Sequence, residues 1–336
     1  MITVSPSGHD DTAQLQAADA QGQGVSFAPG TYQVSPGLRQ TTPWVGADRS
    51  LVTLKAAAST WVFGTPLVAA ASGVLLSGIS FDVSAAIIPN QFNYPVLNCA
   101  GSGWRVRDCA FLGLKTLMLG IYGANITDFE ISRNLFVMPV PTNQLNQAIN
   151  LGPATRGVIS FNECNGTGMD LGGTDLSVSD NIVYNWAFGG GITVMPNVGN
   201  SNFKITNNLC YGSVGVDVNN TRPAGVEFWG SGSVIANNLC HGNSGFGITV
   251  GGPNNVVSNN SCIGNGTSPG ASAGIIMYSI PGTAATGNAV SGNVCTGAPQ
   301  NYGIFLDAQG APITGNSYTG NNLMGNTSGA SNVILT

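Results

Sequence analysis

The chain has 336 residues and a formal net charge of −5, carried by only ten basic and fifteen acidic side chains. So few cations, so thinly spread, exclude a nucleic-acid-binding surface, whose phosphates demand clustered Lys and Arg. With 7% charged residues, 43% hydrophobic residues and 48 glycines, the surface must be covered by amides and hydroxyls, groups suited to hydrogen-bonding sugars.

Met1 is followed directly by polar sequence, without a signal-peptide pattern, an apolar run long enough to span a membrane, or a lipidation motif. That predicts a chain folded in a reducing cytoplasm and then released, to act at an extracellular or virion-associated site. Asp11-Thr12-Ala13-Gln14 reads as a capping box opening a short helix to about Ala20. Strands are expected around 25–34 and 51–55. Residues 1–65 thus form an N-terminal cap with the first strands, and 66–336 form one continuous run of coils.

Those coils are legible as repeats. Phe203-Lys204-Ile205-Thr206-Asn207-Asn208-Leu209-Cys210 recurs as Ser233-Val234-Ile235-Ala236-Asn237-Asn238-Leu239-Cys240, and again as Val256-Val257-Ser258-Asn259-Asn260-Ser261-Cys262. Fixing the second asparagine gives a column: Asn134, Asn162, Asn181, Asn208, Asn238, Asn260, Asn293 and Asn316, with gaps of 19 to 33 residues. Before most of these motifs stands a short strand of the type Gly191-Ile192-Thr193-Val194, alternating apolar with variable residues. Units of this length, each a few strands and tight turns, bury their apolar faces on their neighbours. Asparagine suits the turn because it tolerates left-handed backbone and its amide can bond the same amide one coil above. The fold class is therefore all-β, a right-handed single-stranded parallel β-helix with a short N-terminal capping helix.

Five of the seven cysteines (Cys164, Cys210, Cys240, Cys262, Cys295) take one place in the repeat, shared elsewhere with Phe136, Val183 and Tyr318. A place shared by Cys, Phe and Val is an inward packing column, so buried free thiols are expected rather than disulfides or metal ligands. No cofactor is called for.

The asparagine turn, the Gly-Ile strand, and the opening Asp10 to Gln16 with Val25-Ser-Phe-Ala-Pro-Gly-Thr-Tyr-Gln-Val34 resemble the pectin-lyase-like superfamily, and within it the bacteriophage tailspike-type polysaccharide depolymerases. The resemblance spans nearly the whole chain. It implies a substrate cleft on the Gly-Ile sheet, walled by long loops such as 137–147, 212–224 and 264–273. It also implies a homotrimer, which an uncapped C-terminal end favours too. That superfamily holds hydrolases, lyases, epimerases and non-catalytic proteins.

Strand alternation sets an outward column of Asn98, Asn150, Asp170, Thr193, Glu227, Thr249, Ile276 and Phe305, with Trp229, Tyr278 and Asp307 two residues further on. Asp170 and Glu227 are its only carboxylates. At about 4.8 Å per strand they stand two steps, about 9.6 Å, apart, near the separation of about 6.5–9.5 Å that inverting glycosidases use. The expected catalytic residues are Glu227 as general acid, its pKa raised by Val226, Phe228 and Trp229, Asp170 as base, and Asp217 in reserve. Trp229 is expected to be an exposed stacking face, Arg222 to orient a substrate oxygen, and Tyr278, Asp307, Asn150 and Thr193 to line subsites. Asp175 reads as a turn residue, and His9 and His241 as lying away from the groove.

The polygalacturonase-like Asn-Thr-Asp, Asp-Asp, Gly-His-Gly and Arg-Ile-Lys set is missing, as are the calcium-binding Asp cluster of pectate lyases and the Asp-Pro-His of C5-epimerases. The expected function is a polysaccharide-cleaving enzyme of glycoside hydrolase type, acting on a bacterial surface or extracellular glycan. A lyase or transglycosidase on the same fold, or a non-catalytic glycan-binding β-helix, are the alternatives.

Overall fold

The computed structural model describes residues 1–62, 64–89, 94–141, 144–196, 199–215, 223–268 and 272–335. The fold is the right-handed parallel β-helix. The chain forms two compact units, 1–140 with 145–165, and 141–144 with 166–336. Among the described residues the one helix is Thr12–Asp19, and no helix is long and apolar enough to cross a membrane.

In the first unit the coils lay their strands on three faces, Gln147–Ser160 running along two of them. Val68–Ala70, Tyr94–Cys99 and Met118–Gly123 pair in parallel on the first face, with Gln147–Ser160 beside them. Leu75–Ser77, Arg105–Arg107 and Glu130–Ser132 form the second, and Ser80–Asp82, Ala110–Leu112, Leu135–Val137 and Glu163–Asn165 the third.

The helix caps this unit through its carboxylates, but the capping box does not form. Asp11 makes no side-chain cap bond. Its carboxylate accepts the backbone N–H groups of Ser7 (2.8 Å) and Gln33 (3.1 Å), tying cap to strand, and Asp10 accepts the Thr12 N–H instead. At the other end Asp19 accepts from the backbone and hydroxyls of Thr41 and Thr42 and from the Trp44 indole.

The second unit repeats the plan. Ile192–Val194, Val226–Phe228, Ile248–Val250, Ala273–Ser279 and Tyr302–Ala308 continue one another on the first face after the start of Gly168–Ser179. Lys204–Thr206, Val234–Ala236, Val256–Ser258, Ala289–Ser291 and Ser317–Thr319 make the second. Ile182–Tyr184, Leu209–Tyr211, Leu239–His241, Ser261–Ile263 and Val294–Thr296 make the third.

The Asn-Asn pair divides two jobs between its residues. Asn207, Asn237 and Asn259 take the left-handed backbone (φ 59°, 57° and 54°), which turns the chain from second face to third. The residue after each, buried, runs the ladder: Asn208 donates to Asn238 Oδ1, Asn238 to Asn260 and Asn260 to Asn293, at 2.9 to 3.0 Å through backbone N–H and side-chain amide alike. The same bonds join Asn134 to Asn162 in the first unit.

Asn316 does not belong to this column. The rung after Asn293 is Asn321, whereas Asn316 accepts from Asn288, which accepts from Asn255, in a second ladder where the chain enters the second face. Tyr318 accordingly pairs with Val290, not with a cysteine. Each coil has more than one turn suited to asparagine, so the sequence motif of one turn can stand in for another.

All seven cysteines are free and buried. Cys210, Cys240, Cys262 and Cys295 stand in register on successive third-face strands of the second unit. Across the interior each of the last three meets a glycine of the first face, at positions 225, 247 and 274. In these three coils the glycine leaves room for the opposing cysteine, and at Gly225 and Gly247 also for the next coil's carbonyl oxygen, which a Cβ would meet at 2.7 and 2.5 Å.

Candidate active site

The outward column is in place in the second unit. Asp170 pairs with Thr193, Thr193 with Glu227, Glu227 with Thr249, Thr249 with Ile276 and Ile276 with Phe305. Val226 and Phe228 are wholly buried while Glu227 between them is half-exposed, as alternation on a one-sided sheet requires. Asp170, half-exposed between Gly168 and Gly172, is two ladder steps from Glu227.

Thr193 lies between the carboxylates but is only 5% exposed. Its Oγ1 accepts the Gly190 N–H at 2.9 Å, so it closes a local turn rather than facing a ligand. A Cβ on Gly190 would lie 3.0 Å from the Glu227 Cβ, so the Gly189-Gly190-Gly191 run brings backbone directly against the glutamate.

Trp229 differs most from the exposed stacking face expected of it. It is 8% exposed, and its Nε1–H donates to Glu227 Oε1 at 3.0 Å. The ring lies over Gly251, where a Cβ would come within 2.0 Å of Cε3, and meets Tyr278 edge to face, with centroids 5.4 Å apart at 75°. Burial, with the charges of Asp307 and Glu227 behind it, pushes the Tyr278 hydroxyl up, so it remains a neutral donor. Asp307 pairs in register with Tyr278 and accepts from Gln309 Nε2 at 2.6 Å. Glu227, Trp229, Tyr278 and Asp307 therefore form one continuous polar and aromatic strip.

Asn150 belongs to the first unit, where it is half-exposed in a column with Asn98 and Tyr122 and hydrogen-bonded to Gln147. Asp217 and Arg222 lie outside the described residues. The sequence reading passed over Gly251, Gly190 and Tyr122. The glycines that follow Val250 and precede Ile192 were the available signals, since a glycine run beside a strand marks close approach of another group.

A family model described as periplasmic copper-binding protein (NosD) matches residues 191–334. No curated protein matches the sequence. Among solved structures, the A-module of the Azotobacter vinelandii mannuronan C-5 epimerase AlgE4 superposes with a TM-score of 0.72 at 17% identity, over 97% of this chain and 94% of that one. The Dettilon tailspike protein gives 0.70 at 18% identity, over 98% and 68%. The catalytic domain of a GH87 α-1,3-glucanase in complex with nigerose gives 0.63 at 14% identity, over 98% and 66%. These likenesses establish the fold.

Among the described residues, the matched stretch shows no group of His, Cys, Asp or Glu arranged to hold copper. Its single histidine, His241, lies flat on Tyr211 with ring centroids 5.1 Å apart. Its four cysteines are wholly buried, and among the described residues no three His, Cys, Asp or Glu side chains are grouped so as to hold a metal ion.

Proposed function

We propose that this chain is a polysaccharide-active β-helix that hydrolyses an internal glycosidic bond of a bacterial surface or extracellular glycan, with net inversion. The observation that supports this most is the placement of Asp170 and Glu227 on one outward column, two strands apart, beside the Trp229–Tyr278 strip. The mannuronan epimerase, tailspike and glucanase folds support a glycan as substrate.

In this reading water attacks the anomeric carbon and gives its proton to one carboxylate, while the other protonates the departing glycosidic oxygen. A donor hydrogen bond favours a carboxylate's ionised form. The indole N–H on Glu227 therefore makes Glu227 the base and Asp170 the acid, the reverse of the assignment that the apolar flanks alone suggest. Asp217 and Arg222 keep their proposed roles as reserve carboxylate and substrate-orienting cation, and Asp307 and Tyr278 line a neighbouring subsite. We also infer a homotrimer, which would cover the exposed Ile182, Leu239 and Ile263 of the third face.

Reducing-end release from a panel of bacterial surface polysaccharides tests the reading. Glu227→Gln and Asp170→Asn should each lose about 10²–10⁴ in rate with the thermal midpoint unchanged, since neither side chain supports the core. Near-wild-type rates in both would sink the assignment. Unsaturated uronate products would make the chain a lyase, and tight binding without cleavage a glycan-binding β-helix.

A further inference from the structure

The Trp229 indole touches three successive coils, and each contact constrains it. On its own coil Nε1 bonds Glu227 Oε1, two residues back on the same outward side. On the next coil it occupies the place a side chain would take at position 251: a Cβ there would lie 2.0, 2.5 and 2.6 Å from Cε3, Cζ3 and Cδ2. On the coil after that the Tyr278 ring meets it edge to face. Backbone closes the floor as well, since a Cβ on Gly252 would lie 1.8 Å from the Gly230 carbonyl oxygen. The other four tryptophans, Trp44, Trp61, Trp104 and Trp186, are 0 to 1% exposed and serve the interior; Trp229 alone lies on the outward side.

A glutamate on an exposed strand ordinarily samples several rotamers and ionises as in water. An indole N–H fixed from two neighbouring coils removes that freedom and stabilises the carboxylate form. We propose that Trp229 is the positioning residue for Glu227, seated by Gly251 and latched by Tyr278, and that this clamp holds Glu227 in one orientation as a carboxylate. The inference rests on the reading of Glu227 as the base of a hydrolytic pair. It adds that the base depends on a glycine one coil away.

The clamp can be tested without substrate. In the ¹⁵N-labelled wild-type protein, the Trp229 indole N–H signal should move with one midpoint in the carboxylate range as pH is lowered. It should lose that titration in Glu227→Gln. An indole signal that ignores pH in the wild type overturns the clamp, whatever becomes of the variants.

With a cleavable glycan in hand, Trp229→Phe keeps an aromatic ring on the strand and deletes the N–H donor, with some loss of packing. The acidic limb of kcat/KM against pH should move to higher pH, with KM little changed. Gly251→Ala, which displaces the indole while leaving its N–H intact, should shift the limb the same way. A profile identical to wild type in both variants overturns the proposal, because loss of packing alone would lower the rate without moving the limb. If no glycan is cleaved yet the indole titrates with Glu227, the hydrolase reading falls and the clamp stands.

Discussion

A Cβ built on Gly247 would lie 2.8 Å from the Sγ of Cys262, across the interior of one coil. The same Cβ would lie 2.5 Å from the Gly274 carbonyl oxygen, so the glycine admits both the cysteine opposite and the backbone of the next coil. Gly247→Ala should therefore destabilise the protein by about 1–3 kcal/mol through overpacking, read as a lower denaturation midpoint in urea. Combined with Cys262→Ala, which removes the Sγ contact but leaves the Cβ at position 262 and the Gly274 carbonyl oxygen in place, only part of the clash is relieved, so the double variant should cost somewhat less than the sum of the two single variants. Strict additivity would show that the two sites do not share a packing constraint.

Asn260 accepts both the backbone N–H and the side-chain amide of Asn238, and donates to Ile235 O and Asn293 Oδ1. Replacing it by Ala leaves buried donors on Asn238 without an acceptor. The loss should be at least about 2 kcal/mol. Asn321 ends the ladder half-exposed, so Asn321→Ala should cost less. Equal costs at the two positions would remove the ladder from the account of stability.

Asp19 ties the N-terminal helix to the first coils. Burial pushes its carboxyl up, but the bonds from Thr41, Thr42 and Trp44 outweigh burial and leave it below the ordinary carboxylate value. A depressed folded pKa means stability that is fully present above the unfolded value and lost as pH falls through the folded one. The thermal midpoint should drop in that acidic window, and Asp19→Asn should flatten this part of the profile. A variant with the same acid dependence as wild type would place the acid sensitivity elsewhere.

Light scattering tests the proposed assembly. A homotrimer of this chain should weigh three times 34.2 kDa. Ile263→Lys on the third face should lower that mass without altering the circular dichroism. A wild-type particle of one chain mass would refute the trimer.

The rungs of the ladder within each unit, Asn134 to Asn162 and Asn181 to Asn293, were legible because a repeat converts directly into register. Once coils stack, residues at one place in the unit must meet, and Cys240, Asn238 and Glu227 inherit their neighbours from spacing and strand alternation alone. Asp170 and Glu227 fell on one column for the same reason. Asn316 was assigned to the wrong ladder because two turns of one coil favour the same residue, and only the pairing of Ser317 with Ala289 tells them apart. Asp11 was misread because its carboxylate is claimed by Gln33, distant in sequence. Trp229 was read as exposed because burial on the outward side depends on what the neighbouring coils omit. Sequence determined which way each side chain points, through the period of the strand. Whether an outward side chain stays open to solvent was decided by Gly251 and Tyr278, two residues on other coils that happen to leave a space and close it.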